Sequence, residues 1–501
     1  MSNSPAKLQL TRNTWNQVIV ANRAPTNFIW QEGQWYPQQA TNALSLMLEP
    51  LVRRPDVAWY CCVSEPLEEA GEARDRLFAT VRNQVNAGLQ IIPVPLPAAV
   101  YQAYYDQLCN EILWMLQHGL VGPGGYELLD AEHNLSWEKG YQLANRQMTK
   151  AIVESVASAG AFFIYDYHLY LLPALLRQSF PKTPILHFTH IPFPQATALK
   201  LLPFKWRQSI LLGLLGSNVV GFQTETDVRN FMACCEKVLG TQVDLDTMTV
   251  HAPDGRRVSV RAYPASVSPH ELRQTMLSSK AIEARERLSR YFVNQTIVRV
   301  DRLDPSKNQL IGFLAFAHLL EQHPNLCGRV RFLAFLVPSR SNLRVYEAYR
   351  KLLYQTVEQI NNRFIEKCGQ PPIEIFYVND REQALVAMER CDVMLVNSHA
   401  DGMNLVAKEW AIVSQQPGAL VLSETIGVAD EALDAALFIS PLDVVGTSEA
   451  LAIALNMSAR ERSVRLEYFR KRIEGWTAVD WLRAQFAGCG FEAKDIVLDC
   501  D

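Results

Sequence analysis

A chain of 501 residues, 49% of them hydrophobic, can bury sizeable cores and divide into about two to four domains, which excludes a disordered scaffold. With Lys+Arg at 48 against Asp+Glu at 52 the formal charge is -4, so the basic excess of a nucleic-acid binder is missing and any anion must be caught by local cations. The ten cysteines include the adjacent pairs Cys61-Cys62 and Cys234-Cys235 and no CxxC or Cys/His array of metal spacing; they read as reduced packing thiols, and no metal site is expected.

The opening MSNSPAKLQLTRNTWNQ has no basic head followed by an apolar core, so no secretory leader is expected and the protein is placed in the cytoplasm. The first short β-branched run, 18–21 (VIVA), predicts a strand, and Arg23 stands just beyond its end. Tyr105 and Trp114 follow in an aromatic-rich segment whose plain reading is core packing. The run 162–165 (FFIY) predicts a strand that delivers Asp166, and 185–188 (ILHF) another that leads to His190. His187 and His190 are three apart, so on a continuous strand they face opposite sides and cannot form one compact metal pair. The apolar stretch 210–222 is broken by Gly213, Gly216, Ser217 and Asn218 and is too short to cross a bilayer; its end, 219–222 (VVGF), predicts a further strand.

Around 263–269 (YPASVSP) the pattern weakens, with two prolines and no helical period, which places a hinge there and divides the chain into 1–268 and 269–480. Strands are then predicted at 297–300 (IVRV), 331–335 (RFLAF), 393–396 (VMLV) and 420–423 (LVLS), alternating with longer amphipathic stretches. That rhythm predicts an α/β fold with parallel sheets covered on both faces, in which ligands bind beyond the carboxyl ends of strands. Neither GxGxxG nor GxxxxGK[ST] occurs, which argues against a dehydrogenase or an NTPase.

After 297–300 come Arg302 and Lys307, two cations five apart at a strand end where a helix is about to start, a pattern suited to a diphosphate. The plain alternative is a solvated RxxxxK turn. Arg340 follows the second of these strands, 331–335, through Pro338 and Ser339 and is another cation at the ligand edge. After 393–396, NSHADGMNLVAKE feeds a helix: the N–H groups of Asn404 and Leu405 would be free donors for phosphate, Asp401 could accept from sugar hydroxyls, and Glu409, one turn past Leu405, could hold a ribose diol. Against this stands the simpler account that Asp401 is an N-cap and Glu409 a surface residue.

Together, ANR with Arg23, YYDQLCNEILW ending in Trp114, DYHL with Asp166, HIPFP with His190, RLDPSK with Arg302 and Lys307, PSR with Arg340, and DGMNLVAKE resemble the trehalose-6-phosphate synthase family in order and spacing over nearly the whole chain. The resemblance implies a GT-B fold of two Rossmann-like domains facing a cleft, with 481–501 packing back on the first domain. It implies glucose transfer with retention from a nucleotide sugar to a small phosphorylated acceptor, without cofactor or metal. Arg302 and Lys307 would hold the diphosphate, Glu409 the ribose, Asp401 and His190 the glucose hydroxyls, and the main chain of Asn404 and Leu405 the phosphates. Arg23, Tyr105 and Arg340 would hold the acceptor phosphate, with Trp114 and Asp166 near the acceptor.

The sequence departs from the family where an early Gly-Gly falls on Asn42-Ala43, where Tyr165 replaces a His before DYHL, and where Pro305 and Asn308 replace the Tyr and Gly of RLDYSKG. The changed loop resembles the glucosylglycerol-phosphate synthase branch and makes glycerol 3-phosphate the first expected acceptor. Glucose 6-phosphate is the alternative, and a scaffold homologue or pseudo-glycosyltransferase is the reading from another class. With no phosphatase segment after 480, a separate phosphatase partner is expected; nucleic acid and membrane are not, and a homo-oligomer is left open.

Overall fold

A computed structural model of the chain describes residues 12–39, 47–48, 51, 54–65, 77, 90–120 and 130–491. It divides into two units: one holds the chain through Tyr263, apart from a short stretch that begins at His118, and takes up Leu482 onward; the other runs from Pro264 to Trp481 and includes His118.

The first unit contains β1 (Asn13–Val20), β2 (Thr26–Gln31), β3 (Gln34–Gln39), β4 (Val57–Ser64), β5 (Ile91–Leu96), β6 (Val156–Tyr165), β7 (Ile185–Phe188), β8 (Val219–Phe222), β9 (Val243–Asp244), β10 (Thr249–His251) and β11 (Arg257–Ala262). Nine of these make one sheet in the order β5-β4-β1-β6-β7-β8-β11-β10-β9, and β2 pairs with β3 as a separate antiparallel ribbon. From β5 to β11 every pairing is parallel, and only β10 and β9 turn antiparallel. Covered on both faces, such strands need apolar residues at successive positions rather than at alternate ones, and β7 and β8 are buried throughout. Strand order reverses between β1 and β6, so the crevice of a doubly wound sheet opens beyond Val20 and Tyr165, where Arg23 and Asp166 follow. Residues after Leu482 close on β6: the Phe486 and Phe163 rings lie 4.4 Å apart, and the Tyr165 hydroxyl donates to Gln485 Oε1 at 3.2 Å. Tyr165, at the position of the family's His, thus points into packing.

The second unit has β12 (Gln295–Arg302), β13 (Val330–Val337), β14 (Ile373–Tyr377), β15 (Val393–Val396), β16 (Ala419–Ser423) and β17 (Ala436–Ile439), all parallel, in the order β14-β13-β12-β15-β16-β17. Alternation along each strand separates two cores. Val298, Leu333, Phe335, Met394 and Leu420 face one side, and Ile297, Phe332, Ala334, Val393 and Val421 the other. Order reverses between β12 and β15, so the loops after these two strands, RLDPSK and NSHADGMN, come to one switch point. The α/β class with mostly parallel sheets is the one expected, and the strand at 297–300 extends to Arg302, carrying that cation to the strand's end.

Candidate active site

In the second unit the path from Arg302 to helix Gln309–Gln322 is short and fully determined. Asp304 caps the 3-10 turn Pro305–Lys307 by accepting from Ser306 N at 3.0 Å and Ser306 Oγ at 2.9 Å, and Pro305 supplies a fixed φ where no N–H is needed. Asn308 ends the turn at φ 57, the left-handed region that favours glycine, which asparagine tolerates better than most side chains. Its amide nitrogen donates to the carbonyls of Asn397 at 3.1 Å and Pro441 at 2.6 Å, so the replacement of the family's glycine keeps the turn and adds two bonds.

Lys307 forms an ion pair with Asp401 Oδ2, which also accepts from Asn404 Nδ2 at 3.0 Å. Burial alone would raise the Asp401 carboxyl; Lys307 first, then His118 and Asn404, outweigh it and hold the group below its ordinary range. The simple account of Asp401 as the N-cap does not hold. Asn404 is the cap, at φ 74, and its side chain accepts from Ala407 N at 3.2 Å. No acceptor among the described residues meets the N–H of Asn404 or Leu405, so both remain donors beside the Lys307–Asp401 pair. Glu409 lies one turn on, 3.8 Å from Arg381 Nη2, and Arg381 is itself held by Glu271 through bonds of 2.6 and 2.9 Å. Burial raises the Glu409 carboxyl, and Arg381 works against it.

Arg302 keeps a side chain 41% exposed, 4.0 Å from Asp304. Arg340, at φ 45, reaches the same carboxylate at 3.0 Å, and Tyr346 donates its hydroxyl to it at 3.1 Å. Burial pushes the Asp304 carboxyl up, but Arg340, then Arg302 and His118, bring it down to about 2. The structure therefore groups Arg340 with Asp304 and Arg302 in the second unit, whereas Arg23 and Tyr105 belong to the first.

In the first unit Arg23 Nη2 donates to the Tyr105 hydroxyl at 2.6 Å, with the guanidinium 5.4 Å from the ring centroid. On the π-helical segment Gln102–Leu113, Tyr105 stacks on His168 at 5.5 Å. Asp166 follows β6 at φ 75, a strained setting for a side chain, and its carboxylate accepts from His190 N at 3.3 Å with His168 Nδ1 3.9 Å away. His187 Nε2 donates to the Asp166 carbonyl at 3.2 Å. β7 ends at Phe188, so His190 stands beyond the strand, and the two histidines reach Asp166 differently: His187 through its ring and His190 through its main-chain N–H. Trp114 is buried and packs 5.9 Å from Tyr167, whose ring lies 4.0 Å from His168, so it backs the cluster through one intervening ring. Asn42-Ala43 lies outside the described residues.

Burial lowers both His187 and His190 to about 3 from 6.5, so the fold takes them neutral. Between these values the unfolded chain binds more protons, so stability is present above about 6.5 and is lost as pH falls toward 3. Thermal unfolding followed across that range should show a falling Tm, with a shallower fall in His187→Gln; an unchanged slope would contradict the neutral assignment.

His118, Asp304, Tyr346, Arg381 and His168 escaped the sequence reading. Asp304 and His168 lie inside motifs already singled out, RLDPSK and DYHL, whereas His118 just beyond helix Trp114–Gln117 carries no local signal at all. Among the described residues no group of three His, Cys, Asp or Glu side chains could hold a metal ion, and no helix is long and apolar enough to cross a membrane.

Two doubly wound units, with an Arg/Lys loop and a donor-rich helix start at the second unit's switch point, define a nucleotide-sugar-dependent glycosyltransferase. The chain belongs to Glycosyltransferase family 20, whose profile matches residues 15–488. It is 33% identical over 429 residues to the bifunctional trehalose-6-phosphate synthase/phosphatase of Thermoproteus tenax, covering 85% of this chain but only 56% of that protein. With the trehalose-6-phosphate synthase of Mycolicibacterium gilvum it shares 31% identity over 485 residues, 93% of this chain and 92% of the relative. A crystal structure of an alpha,alpha-trehalose-phosphate synthase (UDP-forming) from Burkholderia xenovorans in complex with glucose-6-phosphate superposes with a TM-score of 0.79 at 26% identity, covering 95% of this chain and 100% of that one. The GT-B fold implied by the motifs is the fold of these proteins.

Proposed function

We propose that the protein is a retaining α-glucosyltransferase that moves glucose from UDP-glucose to glucose 6-phosphate. The observation that carries the donor half is the switch-point cluster: Arg302, the Lys307–Asp401 pair and the uncapped N–H groups of Asn404 and Leu405 in one place, with Glu409 a turn away. In this reading Arg302, Lys307 and the two amides bind the diphosphate, Glu409 the ribose, and Asp401 and His190 the glucose hydroxyls. Arg23 and Tyr105 bind the acceptor phosphate with Arg340, and Asp166 and Trp114 shape the acceptor's surroundings.

The bond from glucose C1 to the diphosphate oxygen breaks as the acceptor oxygen bonds to C1 on the same face. The acceptor's proton passes to the departing phosphate oxygen. The protein's part is to hold both reactants and to meet the charge growing on the leaving group with preset cations and amides.

The acceptor is where the comparisons favour the alternative over the first expectation: the relatives named above are trehalose-6-phosphate synthases, and the Burkholderia protein was crystallised with glucose-6-phosphate. Glycerol 3-phosphate keeps a single argument, the Asn42-Ala43 replacement. Nucleotide release with UDP-, ADP- and GDP-glucose against glucose 6-phosphate and glycerol 3-phosphate decides between them. Turnover with glucose 6-phosphate is expected; turnover confined to glycerol 3-phosphate would overturn the acceptor, and binding without turnover for every pair would favour a pseudo-enzyme.

A further inference from the structure

The two cations of the RLDPSK loop have a common feature behind them. Each has its own main-chain carbonyl held by a buried side chain. Gln309 Nε2 donates to the Arg302 carbonyl at 2.7 Å and is steadied through its Oε1 by the Tyr349 hydroxyl at 3.0 Å. Arg299 Nη2 donates to the Lys307 carbonyl at 2.9 Å, and Arg299 Nη1 to the Gln309 carbonyl at 3.3 Å. Between them the Asn308 carbonyl accepts from Asn397 Nδ2 at 3.0 Å. Three successive carbonyls, 307 to 309, are thus held by two buried side chains, Arg299 and Asn397.

Arg299 is an unusual occupant of its position. It lies within β12, fully buried, on the side of the sheet that otherwise carries Ile297 and its apolar neighbours, and it binds Asp301 Oδ2 through Nε at 2.9 Å and Nη2 at 2.7 Å. Room for it is made at Gly312, where a Cβ would come 2.7 Å from Nη1, and the Phe313 ring lies 5.8 Å from the guanidinium. A fully buried ion pair is weak as a device for stability alone, because well-packed apolar residues of similar volume commonly serve as well. What an apolar residue could not do here is hold the carbonyls of 307 and 309.

We propose that Arg299 is a positioning residue for the donor-phosphate loop, fixing the main chain on either side of Asn308 so that Lys307 is set before the diphosphate arrives. The inference rests on the donor-site reading above. A preset cation meets developing charge without reorganisation, and a misplacement of about 1 Å can cost on the order of a hundredfold in rate.

The test uses Arg299→Met, and Arg299→Met/Asp301→Leu, which removes the whole ion pair where the single change leaves a buried carboxylate alone. Hydrogen exchange of the amides of 303–310 is measured without ligand, and kcat and KM for UDP-glucose are measured in a double-mutant cycle with Lys307→Met. Positioning predicts faster exchange confined to the loop, a kcat loss of about tenfold to a hundredfold, and a Lys307→Met effect that shrinks several-fold once Arg299 is gone. Arg299→Lys, which keeps charge but not the fork, should recover only part of the rate. Unchanged loop exchange in the double variant with an additive cycle, whatever happens to Tm, would overturn the proposal and leave Arg299 as a packing partner of Asp301. If the wild-type protein transferred no glucose, the functional reading would fall, and loop exchange would still decide whether Arg299 positions the loop.

Discussion

Lys307→Ala and Arg302→Ala should each lower kcat/KM by about a hundredfold or more, the loss expected when one preset donor to a developing anion is removed from a site of this kind. The two differ in their side effects. Arg302 is half-exposed and shares Asp304 with Arg340, so its removal should leave Tm near that of the parent. Lys307 is the main group holding the Asp401 carboxyl down, so its loss should raise that pKa and disturb sugar binding as well as leaving-group stabilisation. Steady-state kinetics with UDP-glucose, with thermal unfolding alongside, separate these effects. Near-parental turnover in a folded variant would remove that residue from the donor site.

The second large effect concerns Asp304. Its carboxylate is fully buried and accepts from Ser306 N, Ser306 Oγ, Arg340 and Tyr346, so one group closes the turn and anchors a cation. Asp304→Ala leaves Arg340 buried without that carboxylate, a change that typically costs about 3–5 kcal/mol, and it frees the turn that carries Lys307. Stability and activity should fall together, and urea unfolding reads the first. The carboxyl sits at about 2 in the fold against 3.8 in the unfolded chain, so its contribution is complete above about 4 and is lost as pH falls through 2. Asp304→Ala should therefore lose less stability than the parent over that interval. A parental acid profile in the variant would show that Asp304 is not the charged hub described.

Much of this was legible because parallel strands covered on both faces must be apolar at successive positions. β7, β8 and β15 coincide with the runs at 185–188, 219–222 and 393–396. β5 was not, since IIPVPL has prolines where a strand pattern is sought, nor was the ribbon of β2 and β3, whose apolar residues form only the short runs 28–30 and 35–36 between polar neighbours. For the site, residues directly after a strand could be found because the fold puts ligands there. Partners that act through space could not: Arg381 reaches Glu409 from 28 positions upstream in the sequence, and His118 bears on Asp304 from 186 positions upstream and on Asp401 from 283. Nothing local in a sequence encodes such distances. The mistaken N-cap at Asp401 has a narrower cause: both it and Asn404 are good caps, and only the backbone shows which one stands at the helix start.

Asn308 has a consequence that concerns the unfolded chain rather than the folded one. A glycine at φ 57 would leave that chain more conformations to lose on folding, whereas asparagine restricts them beforehand. Less conformational entropy is therefore lost at this turn on folding, and, on the donor-site reading proposed above, less disorder would be left in the loop for a diphosphate to remove.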